Sequence, residues 1–398
     1  MRILIADDDP ISRRLLERTL QQWGYEVTAA HDGAEAWRLF GEHDFPLVIT
    51  DWVMPGLDGL ELVRRVRGGQ KPGYVFVILL AAASHRREVV EGLASGADDF
   101  VSKPFDRAEL RARLRVGERI IRLEQALIER NRVLSDRNAE MEQDLRTACE
   151  VQQALLPQGY PSFPADAPPE RSALRFCDRY RPNGAVGGDF FDVLALSDTR
   201  AGVFIGDVMG HGVRAALVTA MVRALLENLR PVAAEPGRLL AEMNRDLLSI
   251  FGQASVPVFL SAFYATIDTV TGRLDYASAG HPAPLVVRRR TKDVSYLPPP
   301  GGQPGPPLGV RDQPVYPVAG TDLARSDMVL LFTDGLFEVV GADHEPFGEE
   351  QLRQAVASRT HLSAGPLFDD LLTEVLRYSA GRGFADDVCL VGVELVGI

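Results

Sequence analysis

The chain opens with short apolar runs separated by stretches in which apolar residues recur at helical spacing. Ile3-Leu4-Ile5 reads as a strand, and Pro10 to Trp23 as a helix with Ile11, Leu15, Leu16 and Leu20 on one side. Leu47 to Thr50 is a strand, Gly59 to Val66 a helix, Val75 to Leu80 a strand, Ser84 to Ser95 a helix and Asp99 to Val101 a strand; another helix starts near Asp106. Apolar strands alternating with amphipathic helices predict a doubly wound α/β layer, a parallel sheet covered on both faces.

The period then changes. Residues 107–156 hold no proline and one glycine, Gly117. Leu127, Leu134, Met141, Ala148 and Leu155 recur every seven residues, with Asn131, Asn138 and Leu145 in the alternate core register. Such a repeat is a coiled-coil seam, and Asn at a core position favours a parallel dimer. The seam would run about 42 Å. The alternative is one amphipathic helix lying on its own domains. Pro157, Pro161, Pro164, Pro168 and Pro169 end the helix. From Ala173, period-two runs joined by short turns predict strands at 174–181, 189–196, 201–206, 258–268, 273–279, 284–288, 328–333 and 388–395, with helical stretches at 211–230 and 236–251. An α+β sandwich of antiparallel sheets flanked by helices follows. The expected division is 1–118, an α/β domain; 119–156, a coiled-coil linker; and 157–398, the sandwich.

Composition narrows this picture. A chain of 398 residues, 46% hydrophobic and 25% charged, is globular and holds two or three domains. A net charge of −12 and no basic recognition helix speak against a nucleic-acid binder and against an anionic-membrane binder. Cys149, Cys177 and Cys389 are far apart in sequence, as reduced cytosolic thiols are. The N-terminus shows no signal-peptide pattern, and the longest apolar run, Val75 to Ala83, is too short to span a bilayer. A cytoplasmic protein is expected.

The acids of the first domain fall at strand ends, where sites lie in such sheets. Asp7 and Asp8 follow the first strand, Asp51 follows Thr50, and Lys103-Pro104 follows the last strand. Carboxylates there can hold Mg²⁺, a lysine can pair with phosphoryl oxygens, and one carboxylate can be the nucleophile. With Met54-Pro55-Gly56 and Asp58-Gly59 after Asp51, this half resembles the response-regulator receiver domain, a flavodoxin-like fold. The resemblance implies Asp51 as phosphoacceptor for a sensor histidine kinase. It implies Asp7, Asp8, Asp51 and the Val53 carbonyl as Mg²⁺ ligands, Lys103 as the phosphate-sensing lysine in a cis bond to Pro104, and Phe100 as the aromatic switch. Ala81 stands where the family usually has Thr or Ser; Ser84 is nearby.

The sandwich carries its own acidic turns. Gly206-Asp207-Val208-Met209-Gly210-His211-Gly212 follows an apolar run and precedes a helix, and the glycines suit a tight turn. Gly187-Gly188-Asp189, Thr333-Asp334-Gly335 and Asp386-Asp387 also abut strand ends, with no Lys or Arg adjacent. Convergent carboxylates repel unless a cation neutralises them, and oxygen ligands without a His or Cys cluster suit Mg²⁺ or Mn²⁺. With Ala279-Gly280-His281-Pro282, these motifs over roughly 150–398 resemble the 2C-type metal-dependent protein phosphatases, in the branch of sporulation and stress sigma-factor regulators. The resemblance implies hydrolysis of a phosphomonoester by a water held between two divalent ions. Asp207 would bridge them, the Val208 carbonyl would bind one, and Asp334 and Asp386 would complete the other site. Asp189 would bind directly or through water, and Asp387 is the neighbour that competes with Asp386 for its role. His211 is read as structural to its turn, the alternative being a proton donor; His281 is read as structural. Arg179 and Arg181 are read as a solvated strand face, the alternative being a phosphate clamp. Cys389, where the family usually has Thr, is expected to be buried. The proline-rich 298–307 is a loop.

The expected function is a response regulator whose output dephosphorylates serine or threonine on a signalling protein such as an anti-sigma-factor antagonist. Phosphorylation of Asp51 would control it through a homodimeric 119–156 helix. The rivals are a catalytically inactive phosphatase-fold scaffold that binds a partner, and a DNA-binding response regulator.

Overall fold

The computed structural model describes residues 1–69, 73–82, 94–184, 186–210, 212–252 and 257–397. They form two compact units, Met1–Glu140 and Met141–Ile398.

The first unit contains β1 (Arg2–Ala6), α1 (Pro10–Gln22), β2 (Glu26–Ala30), α2 (Gly33–Glu42), β3 (Leu47–Asp51), α3 (Gly59–Gly68), β4 (Phe76–Ala82), β5 (Asp99–Lys103) and the start of α4 (Arg107–Leu155). The strands form a parallel sheet in the order β2-β1-β3-β4-β5. Ile3, Leu4, Ile5, Val48 and Ile49 are fully buried, because helices cover both faces. Asp9, Asp32 and Asp58 cap α1, α2 and α3 by accepting backbone N–H groups of the first turn. Leu110, Leu114 and Ile121 of α4 pack into the core beside Phe76. Further along, Leu123, Leu127, Leu134 and Met141 are exposed. The helix expected from Ser84 to Ser95 falls almost entirely outside the described residues. Strand β2 and helix α2 were not among the expected elements.

The second unit holds the end of α4, β6 (Leu174–Arg181), β7 (Asp189–Ser197), β8 (Arg200–Val208), α5 (Val213–Asn228), α6 (Pro236–Phe251), β9 (Leu260–Asp268), β10 (Arg273–Ala279), β11 (Leu285–Arg288), β12 (Asp293–Tyr296), β13 (Ala319–Asp322), β14 (Met328–Phe332), α7 (Gly348–Ala357), α8 (Ala364–Tyr378) and β15 (Val388–Leu395). Two antiparallel sheets run β13-β10-β9-β8-β7 and β12-β11-β14-β15-β6. Alternation along each strand builds the layers. Ala201, Val203 and Ile205 of β8 meet Val329, Leu331 and Val391 of the other sheet, while Phe204 and Val208 face α5 and α6. Helices α7 and α8 cover the second sheet's outer face through Leu352, Leu367, Phe368 and Leu371. Each fully buried Phe or Leu contributes about 1.5–3 kcal/mol. Among the described residues no helix is long and apolar enough to cross a membrane.

Candidate acidic sites

In the N-terminal unit the ends of β1, β3 and β5 gather Asp7, Asp8, Asp51 and Lys103. Oxygens of Asp7, Asp8 and Asp51 lie within 4.8 Å of one another. Lys103 Nζ is 2.6 Å from Asp51 Oδ2 and 2.7 Å from Asp7 Oδ2, and Ser12 Oγ donates to Asp7 Oδ2 at 2.8 Å. Burial raises the Asp51 carboxyl, against the hydrogen bond from Lys103. Burial also acts to lower the Lys103 ammonium, but its bonds to Asp51 and Asp7 outweigh this and the net shift is upward. The site therefore demands positive charge, and its oxygen donors suit Mg²⁺. Val53 is exposed just beyond Asp51. Ala81 lies opposite Ser102 in the β4–β5 ladder and offers no hydroxyl. Phe100 is half-buried, with the Arg113 guanidinium 5.3 Å from its ring centre. The Lys103–Pro104 bond is cis. Ser84 lies outside the described residues.

In the second unit Asp189, first in β7, lies opposite Asp207 of β8 in the antiparallel ladder. Asp334 follows β14, and Asp386 and Asp387 precede its neighbour β15. Asp207, Asp334 and Asp386 line one cleft of about 690 Å³. Asp189 sits apart from the cleft lining, 2% exposed, and Thr333 Oγ1 donates to its Oδ2 at 2.7 Å. Cys389 is buried, as expected, and its N–H donates to Thr333 Oγ1 at 2.9 Å. Asp387 has a different office from Asp386. Its Oδ1 accepts the Asn183 N–H at 2.7 Å and its Oδ2 the Gly188 N–H at 2.5 Å, so it braces the 183–188 loop. The Val208 carbonyl abuts Gly188, where a Cβ would stand 2.6 Å from the oxygen.

The cleft acids are held together at mutual cost. The Asp207 carboxyl is pushed up to about 7, by burial first and then by Asp334, Asp386 and Asp387. Burial and Asp386 raise Asp334, while burial and Asp207 raise Asp189 well above the usual carboxylate range. Glu338, one turn after Asp334, lines the same cleft and is raised by burial, Asp334 and Asp386. It was not among the expected residues, although its i+4 spacing from Asp334 marks it. Among the described residues no Lys or Arg lines the cleft. An all-oxygen set with no protein cation fits Mg²⁺ or Mn²⁺. The set is looser than that of the N-terminal unit: among the described residues only Asp7, Asp8 and Asp51 bring three acidic groups within 4.8 Å.

One wall of the cleft is apolar, made of Phe259, Phe263, Tyr276, Leu297 and the proline loop from Pro298, while Ser261, Ser278 and Glu349 add polar groups to the lining. His281 lines it but is buried, with Nδ1 2.8 Å from Ser261 Oγ, and burial pushes it down to about 3, so the ring is neutral. His211 lies outside the described residues. Arg179 pairs with Asp369 of α8 at 2.7 and 2.8 Å, which engages its guanidinium away from the cleft. Gly210 and Gly212 take φ of 90° and 85°, the left-handed region the turn needs.

A parallel α/β unit with an acid triad and lysine, joined to an α-β-β-α sandwich with an acidic cleft, defines a receiver coupled to a 2C-type phosphatase fold. Residues 197–396 match the family model of Stage II sporulation protein E (SpoIIE), and residues 3–115 match that of the response regulator receiver domain. The chain belongs to the SpoIIE family and carries an N-terminal receiver domain. Chemotaxis protein CheY1 of Helicobacter pylori is 36% identical over 118 residues, 29% of this chain and 95% of that protein. Response regulator GtcR of Aneurinibacillus migulanus is 41% identical over 112 residues, 28% of this chain and 45% of that protein. The chain thus spans less than half the length of the latter. The SiaA-PP2C domain of Pseudomonas aeruginosa superposes with a TM-score of 0.55 at 19% identity, covering 65% of this chain and 98% of that one, a likeness of fold.

Proposed function

We propose that this response regulator hydrolyses phosphoserine or phosphothreonine on a partner signalling protein, such as an anti-sigma-factor antagonist, under control of Asp51. The observation that carries this is the cleft that Asp207, Asp334 and Asp386 line together with no Lys or Arg among the described residues. Asp207, Asp334, Asp386 and the Val208 carbonyl would hold divalent cations, with Asp189 supporting from behind. Bound Mn²⁺ or Mg²⁺ supplies an acidified water and neutralises phosphate charge. Since no Lys or Arg among the described residues lines the cleft, the chain's part is to fix those oxygens and to shelter the ester against the wall formed by Phe259 and the prolines from Pro298. Neutral His281 would orient Ser261 and carry no charge to the phosphate.

At the receiver a histidine kinase would transfer a phosphoryl group to Asp51, with Asp7 and Asp8 holding Mg²⁺ and Lys103 meeting the new oxygens. The exposed Leu127, Leu134 and Met141 of α4 support a seam for a second copy of the chain, through which the signal would pass. The test is phosphate release from a phosphoserine protein by the purified full chain in Mn²⁺, with and without beryllofluoride. Release that disappears in Asp207→Asn and changes with beryllofluoride is expected. No release under any metal leaves the scaffold reading; release indifferent to beryllofluoride removes receiver control.

A further inference from the structure

Resting on that reading of the acidic cleft, we propose that Gln152, near the end of α4, is a positioning residue that holds the Gly187-Gly188-Asp189 segment in place for cation binding. Gln152 is buried on a helix whose neighbouring positions, Val151 and Gln153, are exposed. Its carboxamide meets both polar groups of one residue: Nε2 donates to the Gly187 carbonyl at 2.6 Å, and the Gly187 N–H donates to Oε1 at 3.0 Å. Nε2 also lies 3.4 Å from Thr219 Oγ1 on α5. A carboxamide offers a donor and an acceptor side by side, which neither a carboxylate nor an ammonium does.

The other side of the segment is fixed as well. A Cβ on Gly187 would collide with the Asp387 carboxylate and the Tyr180 hydroxyl, so the backbone has no slack there. The next N–H, of Gly188, goes to Asp387. Asp189 follows at once, opposite Asp207 and bonded to Thr333. The helix end is tied a second time: Arg223 donates to the Leu155 carbonyl at 3.0 Å and sits 3.0 Å from Asp192 of β7. The stretch 187–192 is therefore gripped from α4 at Gly187 and, through Arg223, near Asp192. Gln152 follows Asn131, Asn138 and Leu145 at seven-residue spacing, yet it turns into its own unit, so the seam cannot use that position while the grip holds.

Groups that orient metal ligands from behind set affinity for the metal. The test is Mn²⁺ binding by calorimetry on the metal-stripped full chain, alongside the Mn²⁺ dependence of aryl phosphate hydrolysis. The variants are Gln152→Ala, and Gln152→Met, which keeps the buried volume should the alanine variant not fold; Gln153→Ala is the control. We expect the Gln152 variants to bind Mn²⁺ at least about tenfold more weakly, with kcat at saturating Mn²⁺ within about threefold of native. The control should match the native chain. Native binding in a folded Gln152→Met, or loss of kcat with no change in the Mn²⁺ requirement, overturns the proposal and leaves the reading of the cleft standing. A native chain that binds no Mn²⁺ in the cleft overturns that reading itself.

Discussion

Neutralising Asp207 should stabilise the metal-free protein while destroying its proposed activity. Burial, then Asp334, Asp386 and Asp387, push the Asp207 carboxyl up to about 7. An unfolded aspartate titrates near 3.9, so ionised Asp207 costs the folded state about 4 kcal/mol at 1.36 kcal/mol per pH unit. The sign follows from linkage. A carboxyl raised on folding favours the folded state fully below about pH 4, and that advantage is lost as pH rises through about 7. Asp207→Asn removes the titration. Allowing for relaxation of the cleft, the variant should gain about 2–4 kcal/mol over native at pH 8 and nothing at pH 4. That corresponds to roughly 5–12 °C in the Tm of the C-terminal unit. Calorimetric scans of both proteins in chelator from pH 4 to 8.5 measure it. A difference that is flat with pH, or that grows toward acid, would refute the claim that these acids confront one another. Added Mn²⁺ should reverse the order by stabilising native protein alone.

Three further outcomes follow from the geometry. Asp387→Ala orphans the Asn183 and Gly188 N–H groups and should cost about 3 kcal/mol in urea unfolding of metal-free protein, whereas exposed Asp386→Ala, which relieves Asp207 and Asp334, should cost nothing there yet abolish Mn²⁺ binding in the cleft; the reverse ranking would exchange their roles. Lys103→Met removes the ammonium between Asp51 and Asp7 and should weaken beryllofluoride uptake about tenfold, one charge-assisted hydrogen bond, read by the fluorescence of adjacent Trp52; unchanged uptake would remove Lys103 from that role. His281, pushed down to about 3 by burial, should keep a neutral ring by NMR from pH 5 to 8. Its contribution to stability is present above about pH 6.5 and is lost as pH falls from there toward 3; a ring titrating near 6.5 contradicts the burial.

Much of this architecture was legible because it rests on local rules. Runs such as Ile3-Leu4-Ile5 and Met328 to Phe332 are apolar enough to be strands in any context, and the acids stand where those strands end. What was not legible depends on tertiary contact. Helix α8 begins Ala364-Gly365-Pro366, which reads as a loop; the first helical turn tolerates proline because its N–H has no partner within the helix. Strand β13, Ala319-Gly320-Thr321-Asp322, has little β propensity and is imposed by pairing with β10. Asp386 and Asp387 are equivalent as letters. One lines the cleft and the other takes two backbone N–H groups, a difference set by a loop far away in sequence. Gln152 fits a heptad as well as it fits a buried grip, and only the partner peptide of Gly187 decides between them.

The most direct test of the whole account is anomalous diffraction at the manganese edge from crystals of the full chain soaked in Mn²⁺. Manganese peaks are expected in the C-terminal cleft within bonding distance of Asp207, Asp334 and Asp386 oxygens, with none bonded to Asp387. A cleft without manganese, its carboxylates turned toward separate partners, would contradict it.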